Sequence, residues 1–431
     1  PRADARGVVR RRRQPGASPA GAVRAGGRAG VRRTPARRGA SVSPFHRVER
    51  GETLYSVGGR HGVSASALRA SNQIESGLAE PRPTGSSLRL EGEPATKKTR
   101  QHLDRCLTCR SGEPPCPPGV EYSTLLDTGR KLITQKVPRS AKQRLLHFSL
   151  RKFLLSKNAF SLAIKTGQLF RPLLPKAIKQ NIPLTENKKL DWPTHKYARQ
   201  VILVEGCVQK SLQPDTDKTA AIIFDKMKIQ SLRVNAAGCC GALSHHLNAE
   251  VESHTYIKNN IDSWWPHIDA GYIEAITMTA SGCGVMIQDY AKLLVNDKDY
   301  ADKAAKVSGL YKDPCELINT ARISATTQPQ RIAFHPPCTL QHGLKINGVI
   351  EAMIIALGHE LVDFDDKHLC CGSAGTYSIT QKTISRQLRN NKLGAIEGQQ
   401  PELIVTANIG CQTHLQSGTN IPVRHWLELL L

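Results

Sequence analysis

The sequence predicts an α/β fold: two tandem repeats with parallel sheets, preceded by a helical segment and a small βααβ module. Three observations carry this. A cysteine phrase occurs twice, first as Gly206-Cys207, Gly238-Cys239-Cys240-Gly241 and Ser281-Gly282-Cys283-Gly284, then as Pro337-Cys338, Leu369-Cys370-Cys371-Gly372 and Ile409-Gly410-Cys411. Cys207 to Cys239 spans 32 positions, as does Cys338 to Cys370, and the copies are offset by 131 residues at their first three cysteines and 128 at the last. Eight of the twelve cysteines thus form two sets in register, which marks an internal duplication. Next, short apolar runs (201–204, 275–278, 331–334, 403–406) lead into cysteines and alternate with helical patterns, which implies parallel strands with right-handed crossovers. Finally, 431 residues with 39% hydrophobic and 22% charged content suit several globular domains.

Residues 1–43 consist of Arg, Ala, Gly, Pro and Ser without hydrophobic periodicity and are expected to be a disordered Arg-rich tail. They have no apolar centre, as a secretory signal requires; they resemble a transit peptide or translated GC-rich DNA. Residues 1–50 hold fourteen Arg against Asp4 and Glu49, half of the +24 net charge. The remainder is spread out, with no aromatic-interleaved basic stripe, which argues against nucleic acid as a partner. Apolar stretches such as 349–357 are too short to span a bilayer.

Residues 44–91 read as a strand at 45–48, helices capped by Thr53 and Ser64, and a returning strand at 88–90. Val48-Glu49-Arg50-Gly51-Glu52-Thr53-Leu54, His61-Gly62-Val63-Ser64, Leu68 and Asn72 resemble a LysM module. That family of βααβ domains binds N-acetylglucosamine glycans, so the resemblance implies peptidoglycan as a partner. Gly58-Gly59 and Thr84-Gly85-Ser86-Ser87 depart from the family pattern.

Residues 92–195 begin after a composition shift at 93–97 and are read as a partial ferredoxin-like (4Fe-4S) helical region. Cys106, Cys109 and Cys116-Pro117 follow the C-x2-C-x2-C-x3-C-P pattern, with Gly112 in the third ligand position. A cubane, a zinc site with His102, and a metal-free loop are the alternatives. Tyr122, Leu125, Leu126 and Gly129 space as one helix face; Leu145, Leu146, Phe148, Leu150, Phe153 and Leu154 form an apolar set ended by Pro172 and Pro175.

Residues 196–325 and 326–431 hold the two repeats. Helices are expected at 219–227, 250–265, 349–357 and 384–396, and further strands at 232–235 and 361–364. Cys207, Cys239, Cys240 and Cys283, like Cys338, Cys370, Cys371 and Cys411, then fall just past strand carboxyl ends, where α/β sheets place ligands. An iron–sulfur or related metal site, a redox dithiol pair and structural thiols remain the three readings. Adjacent cysteines suggest ligands to different irons. His245, His335, His342 and His368, with His246, His414 and Gln341, suggest a polar pocket on the same edges.

The chain also resembles the CCG-domain family of glycolate oxidase (glycolate dehydrogenase) iron–sulfur subunits. The matching stretches are 105–110, 116–120, 171–175, 206–209, 237–243, 279–286, 335–343, 368–378, 406–415 and 423–426. The resemblance implies 4Fe-4S clusters and electron transfer from a flavin-containing subunit, which oxidises glycolate to glyoxylate, toward a membrane quinone. It also implies a cytoplasmic location, peripheral at the inner face of the membrane. The family's first ferredoxin motif is missing, which implies an impaired product. Related heterodisulfide reductase subunits carry a further cysteine where this chain has Met286 and His414. The alternative is a LysM glycan-binding protein with a non-functional redox tail.

Overall fold

The computed structural model describes residues 45–47, 87–89, 95–113, 121–175, 190–319, 322 and 328–431. β1 (Phe45–Arg47) pairs antiparallel with β2 (Ser87–Arg89), matching the expected first and last strands of the 44–91 module. The two expected helices of that module, and the 1–43 tail, lie outside the described residues.

Each cysteine repeat is built on its own parallel sheet. The first has the order β4-β3-β5, with β3 Arg199–Leu203, β4 Ile229–Leu232 and β5 Ile273–Thr277. The second has the order β7-β6-β8-β9, with β6 Arg331–His335, β7 Glu360–Leu361, β8 Leu403–Thr406 and β9 Val423–His425. The inner strands β3, β6 and β8 are apolar on both faces because both faces are covered. Val201 and Leu203 enter a core shared with Ile332, Phe334, Leu403 and Val405 of the second repeat. Ile202, one residue out of phase, faces a separate core with Ile257, Ile261 and Trp264. Ala333 and Ile404 do the same against Leu393 and Ile396. The helices Asp215–Lys226 and Val349–Ala356 fill the shared core, and Glu250–Asp269 and Lys382–Glu397 cover the other faces.

Three expectations shift. β4 lies at 229–232 rather than 232–235, because the chain turns at Val234, whose carbonyl accepts from Ala237 N at 3.0 Å. β7 is two residues long and stops short of Phe364. The helix expected to end at Trp265 continues through Pro266 to Asp269. Proline forfeits one helical hydrogen bond there, and burial of Trp264 and Ile268 on either side offsets it.

The preceding region is helical, as expected: Lys97–Asp104, Tyr122–Lys136, Ala141–Leu155 and Lys157–Leu169, then a 3-10 turn at Arg171–Leu173. Ser140 caps the third of these with Gln143 completing the box. Leu126 and Ile133 are buried. The apolar set of 145–154 is not a core, however. Ala141–Leu155 buries no residue, and Leu145 and Phe148 are 66% and 50% exposed. Among the described residues no helix is long and apolar enough to cross a membrane.

Candidate metal centres

The two Cys-Cys-Gly turns have the same local construction. Gly241 and Gly372 take φ of +91° and +90°, the left-handed region that glycine enters without penalty. Gly241 N donates to Cys239 Sγ at 3.4 Å, and Gly372 N to Cys370 Sγ at 3.3 Å. Ser253 Oγ donates to Gly241 O at 3.1 Å, and Ser385 Oγ to Gly372 O at 2.7 Å. One serine from the covering helix thus pins each turn. A Cβ on Gly372 would lie 2.5 Å from Ser385 O, whereas on Gly241 the nearest atom would be Ser253 Oγ at 3.1 Å. Both Gly→Ala changes are expected to destabilise by at least about 1 kcal/mol from backbone strain. Gly372→Ala should cost more, because backbone must move. Thermal unfolding of the two variants checks the order; equal losses would contradict it.

Sequence reasoning placed the thiols in two sets, and the structure gathers them so. In the first, Cys207 Sγ and Cys239 Sγ are 3.6 Å apart. Cys207 is pushed well up by this bond and by burial. Cys240 bonds to Cys239, which pulls its proton affinity down, but contact with Cys283 and burial raise it overall. In the second, Cys338 bonds to Cys370, Cys370 to Cys371, and Cys371 to Cys411. Cys370 is held well below the usual thiol range by its bonds from Cys338 and Cys371, and Cys411 is lowered to about 5 by Cys371 and, against burial, by His335. Cys207 and Cys283 are half-buried; all four thiols of the second set are buried. Soft donors on three loops, with glycine N–H groups aimed at sulfur, suit an iron–sulfur cluster.

A buried polar frame supports the first turn. Asn260 accepts from Gly238 N at 2.7 Å and donates to Cys239 O at 2.8 Å, while Tyr290 Oη donates to Cys240 O at 2.9 Å. Sequence reading missed this frame and the two serines. The signal available was Ser253 and Ser385, 132 residues apart, close to the repeat offset.

The two sets adjoin through their loops. Ser281 Oγ and Thr339 Oγ1 are 2.8 Å apart, Ser281 N donates to Ala407 O at 3.2 Å, and His425 Nε2 donates to Thr279 O at 2.8 Å. The ferredoxin-like loop seats across both repeats. Tyr377 Oη donates to Arg105 O at 3.1 Å, Arg110 pairs with Asp289, and Cys109 acts electrostatically on Cys338. Burial raises the Cys106 thiol. Cys116 lies outside the described residues, and a Cβ on Gly112 would meet nothing within 4 Å. The described part of this loop supplies two thiols, which alone do not fit a four-thiolate cluster.

The four histidines have different partners. His245 Nε2 bonds to Asp127 at 3.0 Å, and His342 Nε2 donates to the His368 carbonyl at 3.0 Å. His335 is fully buried, with one ring nitrogen within 4.8 Å of the Cys371 and Cys411 sulfurs.

A cysteine-rich domain (CCG) family model matches the chain twice, at residues 201–288 and 332–416. Each match begins within the repeat's first strand and ends with the helix that carries its last cysteine. The glycolate oxidase iron–sulfur subunit of Escherichia coli (strain K12) is 46% identical over 343 residues, 79% of this chain and 84% of that protein. The chain belongs to the glycolate oxidase iron–sulfur subunit family. Its likeness extends to the probable glycolate oxidase iron–sulfur subunit of Bacillus subtilis (strain 168), 24% identical over 73% of this chain and 77% of that protein. Lactate utilization protein A of the same organism is 22% identical over 54% of this chain and 98% of that protein, which confines that likeness to a shorter part of the family chain.

Proposed function

We propose that the chain is the electron-transferring iron–sulfur subunit of a glycolate-oxidising oxidoreductase complex. The observation that carries this reading is the pair of four-thiol sets, held by adjoining loops at the strand ends. Cys207, Cys239, Cys240 and Cys283 would hold one cluster and Cys338, Cys370, Cys371 and Cys411 the other. Bound clusters supply one-electron carriers. Cys106, Cys109 and Cys116 would form a third, incomplete set, and the described part of it, Cys106 and Cys109, lies in the loop that touches both repeats.

The flavin-containing subunits of such a complex are the partner that delivers electrons, and a membrane quinone is the acceptor. The hairpin Ala141–Leu155 and Lys157–Leu169 suits contact with the cytoplasmic face of a membrane. Leu145, Leu162 and Leu169 are exposed on it, and residues 128–185 contain no Asp or Glu. Arg151 and Lys152 pair with Glu252, but Lys142, Arg144 and Lys165 are exposed on the same hairpin, and exposed apolar side chains beside basic ones are what an anionic interface attracts. For peptidoglycan binding by residues 44–91 the described residues offer one strand pair, β1 with β2. The family match gives that alternative no support.

The test is anaerobic co-expression with the flavin-containing glycolate oxidase subunits, followed by iron and sulfide quantitation and EPR. Expected are co-purification and reduced-cluster signals that appear on adding glycolate. A chain that stays iron-free after anaerobic reconstitution, or never associates with the flavin subunits, would sink the reading.

A further inference from the structure

The repeats are not equivalent around their thiols. The 131-residue offset sets Val204 opposite His335. Val204 packs in an apolar core with Cys239 and Cys240. His335 ends β6 with no exposure, and neither Nδ1 nor Nε2 makes a hydrogen bond of ordinary geometry, the Cys411 thiol being close enough only to be acted on by it. A buried imidazole with both nitrogens unpartnered is costly, so a native site that keeps one calls for a missing neighbour. One ligand atom each from His335, Cys371 and Cys411 lie within 4.8 Å of one another, close enough to bind one metal ion. Imidazole nitrogen and thiolate sulfur both suit iron and zinc.

We propose that the second repeat builds a mixed nitrogen–sulfur metal site in which His335 joins Cys371 and Cys411 as a ligand, while the first repeat's site is sulfur-only. This rests on the electron-transfer reading of the thiol sets and deepens it. At this position a neutral imidazole leaves the cluster less negative than a further thiolate would, and so keeps its reduction potential higher. A second difference acts in the same direction. Lys392 stands seven residues after Ser385, where the first repeat has Asn260 seven after Ser253. It is buried, donates to the Asp366 carbonyl, and lies within electrostatic reach of Cys371, Cys338 and Cys370. The second repeat therefore carries the more readily reduced centre, and electrons entering either set settle there.

The test uses the holo-chain, purified anaerobically from cells fed natural-abundance or 15N-labelled histidine, with pulsed EPR on the reduced protein. The expected result is a histidine nitrogen coupled to a cluster spin. It responds to the label and is lost in His335→Cys, with iron retained and the midpoint potential of that centre lowered. Should His335→Cys fail to fold, His102→Gln, His245→Gln, His246→Gln, His342→Gln, His368→Gln, His414→Gln and His425→Gln replace it, covering the other histidines at the thiol loops. Coupling kept in all seven leaves His335 as the source, and coupling lost in any one overturns the assignment. An iron-loaded chain without histidine coupling, or with coupling that survives His335→Cys, overturns the inference and leaves electron transfer standing. A chain that holds no iron overturns both.

Discussion

Cys371→Ala is expected to strip the second repeat of its cluster and leave the first repeat's in place, and Cys240→Ala to do the reverse. Each cysteine is the middle of its set. Cys371 has no exposure and bonds to both Cys370 and Cys411. Cys240 bonds to Cys239 and Cys283. The two belong to separate apolar cores, so removing one sulfur leaves the other set's packing untouched. Cysteine behaves in a core as a small hydrophobe, so the packing loss is only about 1 kcal/mol. Loss of metal should therefore come without loss of fold. Iron per chain and EPR read the first effect, and thermal unfolding the second. If either single substitution removes both centres, the sets are not independent, and if neither changes the iron content, these cysteines are not ligands.

The division between what could and could not be read in advance follows from the physics of each signal. Val201 to Leu203 and Leu403 to Val405 were legible as strands because strands covered on both faces leave a continuous apolar run. The cysteine sets were legible because register survives duplication. The same pattern could not say that Val201 and Ile202 serve different cores, since both are simply buried. Nor could it separate Leu145 from a core residue: the helix around it is periodic, but nothing among the described residues covers that face. His335 and His342 look alike in sequence. Only tertiary placement gives one of them a backbone carbonyl and the other two thiols. The frame made by Asn260 and Tyr290 was invisible for the same reason, because its partners are backbone atoms brought in by a turn.

Asp217→Asn is expected to stabilise the chain above pH 7 and to make little difference below pH 4. Asp217 is buried in the first turn of Asp215–Lys226, where Gln209 Nε2 and Thr279 Oγ1 donate to its Oδ1 at 2.7 and 2.6 Å. Burial raises its carboxyl to about 7, overriding those bonds, with Glu205 pushing the same way. Below about pH 3.9, the unperturbed value, folded and unfolded chains are both protonated and the contribution is fully present. As pH rises the unfolded chain ionises first, and the stability is lost progressively until the folded carboxyl ionises near 7. The whole loss is on the order of 4 kcal/mol. Asparagine keeps the accepting oxygen for both donors and never ionises. The acid side is limited by a different residue. Burial lowers His425 to about 4, against the bond its Nε2 makes to Thr279 O, so it costs stability as pH falls below about 6.5. Thr279 thus joins two buried groups whose penalties run in opposite directions over the same range, about pH 4 to 6.5, so in the wild type the two largely cancel there and Asp217→Asn leaves the histidine's pH dependence exposed. Urea unfolding of the wild type and Asp217→Asn at pH 5 and pH 8.5 decides the matter. A stability difference that is the same at both values would mean that Asp217 is already ionised in the fold at pH 5.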